Sequence, residues 1–241
     1  MSKKVRLDLL LLERGLAPSR HKAQGLIMAG QVRVNGQPAT KPGYGVSPDV
    51  KIAVEQCPRY VSRGGEKLEQ ALQQFQIDPR GFVCLDVGAS TGGFSDCLLQ
   101  HGAAKVYAVD VGRGQLHERL RQDRRVVNIE QTNTHHPFTL PERVHMATVD
   151  VSFIGLTMVL PNVLPHLKPG GQIVALVKPQ FEAGRAQVGK GGVVRDPMVH
   201  GQVLADFLLW AIAAGLRVRG VTTSPITGDK GNREFFAWLT T

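Results

Sequence analysis

The chain is short of cysteine, of aromatic side chains and of acid. Its three cysteines, Cys57, Cys84 and Cys97, are odd in number and lack Cys-x-x-Cys spacing. That excludes a disulfide framework and a zinc ribbon, and it suits a reducing, cytoplasmic setting. Aromatic residues make up 6% of the 241 positions. No apolar run reaches the ~18–20 residues a spanning helix requires; the longest extends only from Phe207 to Leu216. The opening MSKKVRLDLLLLERG is basic, but Asp8 interrupts its apolar stretch and Glu13 ends it, unlike a secretory signal. Neither export nor a membrane partner is expected.

What is present is basic charge, unevenly spread. The net charge is +9, and residues 1–60 carry ten Lys and Arg against four Asp and Glu, leaving +6 in that quarter of the chain. A basic module of this size suits a polyanion. Its local signals are compact. RLDLLLLERG reads as a short helix closed by Gly15, and RHKAQGLIMAG as a second, with Ser19 as N-cap and Gly30 at its end. Val32 and Val34 then alternate into Asn35-Gly36, the strongest short hairpin signal.

RLDLLLLERGLAPSRHKAQGLIMAGQVRVNG, with KPG just beyond, resembles the S4 RNA-binding domain. The resemblance implies that Arg6, Arg20, Lys22, Arg33 and Lys41 contact RNA phosphates. Such cations position an RNA without reading its sequence. Pro58 marks the passage between modules, with the boundary expected near residues 55–62 and domains at 1–60 and 61–241.

The second module alternates strand and helix patterns. Strands are expected at 83–87, 105–110, 125–129, 145–150, 172–178, about 217–223 and 234–239, with helices at 66–75 and about 197–214. The fold class expected is α/β: a doubly wound, seven-stranded, Rossmann-like parallel sheet behind a small α+β S4-like domain. LDVGASTGGF runs from strand through a glycine turn into helix, and Asp110 lies 22 positions past Gly88 at the end of the second strand. The spacing fails the dinucleotide fingerprint, but glycine turn plus acidic strand end fits an adenosine ligand. GRAQVGKGG, from Gly184, imitates a P-loop but places Gly191 where Ser or Thr must hold magnesium. It is expected to be a mobile loop over the cleft.

Lys67, Asp150, Lys178 and Glu234 come from four separated segments, three of them at predicted strand ends. With LDVGASTGGF between, they resemble the Lys-Asp-Lys-Glu signature of FtsJ-like ribose 2′-O-methyltransferases. Adding YVSRGGEKL, DVSFI, VKPQFE and GGVVRDP, nearly the whole chain resembles the TlyA family, named both for haemolysin and for rRNA methylation. The resemblance implies S-adenosylmethionine as cofactor, held by Asp86, Gly88, Ser90, Thr91, Gly92, Gly93, Phe94, Asp110 and Val111. It also implies rRNA or ribosomal subunits as partners, with a cytidine 2′-hydroxyl as methyl acceptor. Lys67, Asp150, Lys178 and Glu234 would then be catalytic. Lys178 would stand nearest the hydroxyl, as a base if neutral or as an electrostatic stabiliser if charged. One departure is Asn133-Thr134-His135, where the family commonly has Asn-x-Arg. No metal is expected, because His135-His136 has no third ligand at useful spacing. Two other readings compete: a noncatalytic ribosome-assembly factor, and a membrane-active haemolysin, for which no amphipathic or spanning segment is evident.

Overall fold

The computed structural model describes residues 4–54 and 58–241, with the side chain of Asp229 left aside. Cys57 and part of the expected boundary lie outside the described residues. The chain divides into two units, Met1–Pro58 and Arg59–Thr241.

In the first unit, β1 (Val5–Arg6) leads into α1 (Leu7–Glu13), and α2 (Arg20–Met28) follows. Ser19 Oγ accepts the Lys22 N–H as N-cap, and Gly15 and Gly30 take positive φ after the two helices. The hairpin pairs β2 (Val32–Val34) with β3 (Gln37–Ala39). Asn35 and Gly36 both have positive φ, 50° and 81°, as a type I′ turn requires. Beyond the hairpin, β4 (Gly45–Val46) pairs with β1, and β5 (Ile52–Val54) adds a third strand beside β2. Leu7, Leu11, Ala23, Ile27 and Val32 form the buried centre.

The second unit opens with α3 (Gly64–Phe75), whose Leu68, Leu72 and Phe75 face inward. It begins two residues before the 66–75 pattern, and its Gly65 packs under Tyr60, where a Cβ would lie 2.2 Å from the ring. There follow β6 (Val83–Val87), α4 (Gly93–Gln100), β7 (Lys105–Val109), α5 (Glu118–Arg121), β8 (Val126–Ile129), β9 (Val144–Val149), α6 (Leu156–Val163) and β10 (Leu167–Val177). The chain ends with α7 (Pro179–Glu182), α8 (Pro197–Ala213), β11 (Arg217–Thr223) and β12 (Phe235–Thr240).

The seven strands take the order β11-β12-β10-β9-β6-β7-β8. The sheet is mixed, which corrects the expectation of parallel strands throughout: β12 runs antiparallel to both β10 and β11. The cause is connection length. Between β11 and β12 the chain forms only a short 3₁₀ turn, and a parallel return needs a longer crossover. β10 also starts earlier than expected, passing Gly170-Gly171 with a register shift between Leu167 and Gln172.

Alternation along β6 decides the layering. Leu85 and Val87 join one core with α6 and α8, while Cys84 points to the other with α3 and α4. Cys84 and Cys97 are free and buried, and burial pushes both thiols up to about 12. No described helix is long and apolar enough to cross a membrane. The chain order reverses between β6 and β9, so their carboxyl ends flank the crevice where ligands of open α/β sheets bind.

Candidate active site

The glycine turn leaves β6 at that crevice. Gly88 takes φ +81°, and its N–H and that of Ala89 both donate to Val109 O, at 2.9 and 3.1 Å. A Cβ on Gly88 would stand 2.3 Å from the main-chain oxygen of Asp150, so only glycine fits between the two strand ends. The later glycines answer to packing instead. At Gly92 a Cβ would meet Leu120 at 2.3 Å, and at Gly93 it would meet Ser62 Oγ at 2.2 Å. Asp110 accepts the N–H groups of Ser90 and Gly112, each at 2.7 Å, and so fixes the tip of the turn to the end of β7. Each carboxylate oxygen keeps a lone pair for a further donor.

Three adjoining cavities open here, and Asp150 lines all of them. The first, about 200 Å³, is bounded by Gly88, Ser90, Thr91, Gly93 and Phe94. The second, about 540 Å³, is bounded by Gly88, Ser90, Asp110 and the exposed Val111 among others. Asp86 and Gly92 line neither. Asp86 is wholly buried under the turn, where Ser95 Oγ donates to it at 2.6 Å and Thr148 Oγ at 3.0 Å. Burial pushes its carboxyl up to about 6 against those two hydrogen bonds. Its two hydrogen bonds tie β6 to α4 and to β9.

The third cavity, about 420 Å³, brings together all four residues of the expected tetrad. Lys67, from α3, places Nζ 2.6 Å from Oε2 of Glu234, which immediately precedes β12. The pair is nearly enclosed, with side chains 12% and 3% exposed. Lys178, at the end of β10, stands 2.5 Å from Asp150 Oδ1. That oxygen is buried and makes no well-directed hydrogen bond, so the contact is an ion pair held by distance alone. Lys178 Nζ also donates to Ser152 Oγ at 3.0 Å.

Several side chains at the cavity or close to it in sequence escaped the sequence reading. Ser152, two residues past Asp150, accepts from Lys178. Phe153 is 91% exposed with φ +65° and packs its ring against Phe181, centroids 5.0 Å apart. A bulky aromatic in that left-handed backbone region is strained. Glu182 accepts the N–H of Leu156 at 2.8 Å and so ties α7 to the start of α6; burial raises its carboxyl above the usual range. Asn232, 2% exposed, accepts from Val194 N and donates to Gly192 O. None of these had a local signal beyond proximity in sequence to a tetrad residue.

GRAQVGKGG carries two local elements. Arg185–Gln187 form a 3₁₀ turn, and Gly189 bridges Val193. His135 and His136 stack at 5.0 Å, and no group of three metal-ligating side chains occurs among the described residues.

In the first unit, the buried Asp8 gathers two of the five expected RNA contacts. Arg6 donates to it through Nε and Nη2, both at 3.0 Å, and Arg20 Nε at 3.1 Å, while Gln24 adds a bond of 2.9 Å. The two guanidinium groups remain about half exposed. Lys22 is exposed on α2, Arg33 points its guanidinium toward Gly36 O, and Lys41 lines a surface pocket with Tyr44.

The pattern of FtsJ-like methyltransferases matches residues 60–241, and that of the S4 domain matches residues 5–52. The chain belongs to the FtsJ-like methyltransferase family. It is 46% identical to the 16S/23S rRNA (cytidine-2′-O)-methyltransferase TlyA of Mycobacterium tuberculosis, over all of this chain and 91% of that one. A solved hemolysin-named protein from Streptococcus thermophilus is 44% identical and superposes with a TM-score of 0.75, covering 100% of this chain and 90% of its own. The N-methyltransferase NodS of Bradyrhizobium japonicum, solved with S-adenosyl-L-homocysteine, shares only 14% identity at a TM-score of 0.52, over 73% of this chain and 86% of its own. That likeness shows the methyltransferase fold.

Proposed function

We propose that the protein transfers the methyl group of S-adenosylmethionine to a ribose 2′-hydroxyl of rRNA, on cytidine, in the cytoplasm where ribosomes are made. The first unit, taken as residues 1–60, grips RNA backbone, and residues 61–241 carry the chemistry. One observation carries the reading: two lysine–carboxylate pairs face a single cavity that adjoins the glycine turn at Asp150.

The cofactor would supply a sulfonium methyl, an electrophile already activated. The residues at the second cavity fit its adenosine end: Asp110 has lone pairs for ribose hydroxyls, and Val111 offers an exposed apolar surface to a base. The chain's own task is to place a weak nucleophile in line and manage one proton. Alignment of this kind contributes ~7–11 kcal/mol. Lys178 faces the ribose oxygen while Asp150 and Ser152 fix its head. The C2′ oxygen would take the methyl as the bond from methyl to sulfur breaks, leaving a neutral thioether; the hydroxyl proton would pass to the Lys178–Asp150 pair, with Lys178 bearing on the negative charge that develops. The enclosed Lys67–Glu234 pair holds the ribose from the other side. Phe153 presents a ring on which an unstacked base can lie.

The decisive experiment incubates the protein with isolated small and large ribosomal subunits and labelled S-adenosylmethionine. The product is mapped as a phosphodiester that resists alkaline cleavage, because its 2′-oxygen is blocked. Transfer to a defined cytidine is the expected result. No transfer to either subunit or to naked rRNA would overturn the reading in favour of a noncatalytic assembly factor, which binds RNA yet tolerates Lys178→Ala. Lysis is the weaker alternative, and leakage from liposomes would support it.

A further inference from the structure

The tetrad cavity contains a third lysine that neither ion pair uses. Among the described residues, five charged side chains line it: Lys67, Lys178, Lys230, Asp150 and Glu234. The first two lysines are each held by one of the carboxylates. Among the described residues, no carboxylate lies within ion-pair distance of Lys230, and the described charges at the cavity sum to one positive charge.

The position of Lys230 is built by the fold. Its backbone is left-handed, φ +61° and ψ +9°, within a closed turn where Gly228 N donates to Asn232 O and Gly231 N to Gly228 O. The turn is pressed onto the tetrad: a Cβ on Gly228 would stand 2.0 Å from Glu234 Oε1. Asn232 pins it to the Gly192–Val194 stretch through two hydrogen bonds. Lys230 Nζ hangs over Gly192, 4.0 Å from where a Cβ would be. A turn of this shape needs only glycine or asparagine at the left-handed position, so a lysine there is unexplained by the backbone.

We infer that Lys230 binds the phosphodiester next to the reacting ribose, forming a phosphate subsite on the rim of the cavity. This rests on the reading of the site as a ribose methyltransferase. A 2′-hydroxyl sits on the carbon adjacent to the one that carries the 3′-phosphate. Any RNA that offers its 2′-oxygen to Lys178 brings that monoanion to the same cavity, where the two balanced pairs give it no net attraction. Lys230, a compact point charge on a flexible stem, supplies it.

The test uses the full chain with the subunit that accepts methyl groups, and the variants Lys230→Asn and Lys230→Gly, both suited to a left-handed backbone, beside Lys230→Arg. Binding of S-adenosylmethionine reports that the variants are folded. Lys230→Asn and Lys230→Gly are expected to raise KM for the subunit about tenfold with kcat within about twofold, and Lys230→Arg to restore most of it. The slope of log KM against log salt should fall by about 0.7, the loss of one phosphate contact on single-stranded RNA. Unchanged KM and slope in both neutral variants would overturn the subsite while leaving the enzyme reading intact. So would a loss confined to kcat. A wild-type protein that methylates nothing would instead overturn the enzyme reading.

Discussion

Gly88 and Asp150 are in contact across the ends of two neighbouring parallel strands: a Cβ on Gly88 would approach the Asp150 carbonyl oxygen to 2.3 Å. The turn that bounds the first two cavities and the carboxylate that holds Lys178 are therefore one packed unit. Movement of either moves the other.

Gly88→Ala should damage both functions at once. The substitution meets a backbone atom that cannot give way, at φ +81°. A stability loss of roughly 1–3 kcal/mol is expected, with weakened S-adenosylmethionine binding and reduced transfer. Thermal melts and calorimetric titration check it; a variant with unaltered cofactor affinity would refute the coupling.

Lys178→Ala should lower kcat by ~10²–10⁴-fold. Because Lys178 and Asp150 act as a pair at 2.5 Å, the double variant Lys178→Ala/Asp150→Ala should be scarcely worse than Lys178→Ala alone. Multiplicative losses in single-turnover rates would show that the two residues work separately.

Asp86 predicts a pH dependence with a definite sign. Its folded carboxyl is raised to about 6, whereas in the unfolded chain it titrates near ~3.9. The folded state therefore binds this proton more tightly, and stability rises as pH falls from about 6 to about 4. Asp86→Asn lacks that response. Its stability relative to wild type should be most favourable at pH 7 and should fall by up to ~3 kcal/mol by pH 4. Denaturant melts of the two proteins across this range measure the difference; a flat difference would refute the shift.

Phe153→Gly should separate stability from activity. Glycine relieves a left-handed backbone and removes a side chain that is 91% exposed, so stability should hold or rise by up to ~1 kcal/mol. Methyl transfer should fall through KM for RNA, because the base loses its platform. Unchanged KM would remove Phe153 from substrate binding.

Asp8 should matter through the two arginines it holds. It is fully buried, and its partners, Arg6 foremost, lower its carboxyl well below the usual range. The stability it contributes is present above the unfolded carboxyl's pKa and is lost in more acidic solution. Asp8→Ala should weaken RNA binding although it removes a negative charge from a basic module, because Arg6 and Arg20 lose their fixed placement. Tighter binding in a filter assay would show that the carboxylate merely neutralises them.

Local rules made much of this legible. Ser19, Gly15, Gly30 and Asn35-Gly36 act within a few residues, so caps and hairpin stand where the sequence reading put them. Strand periodicity found all seven strands of the sheet, and the fold class follows from their alternation with helices. Direction was less readable. β12 reverses because no helix separates it from β11, and a strand pattern carries no sign of its own direction.

The sequence by itself determined the elements, the basic charge of the first module and the kinds of residue at the strand ends. Tertiary structure alone decided who meets whom. Lys67 and Glu234 are 167 positions apart, and they pair because the fold brings α3 to the start of β12. Asp86, which reads as a ligand residue, is turned inward by strand alternation and sealed under α4. Lys230 acquires its meaning from a turn folded onto Glu234. Propensity and capping act over one or two turns of chain, whereas a site made of four segments exists only once the hydrophobic layers have closed.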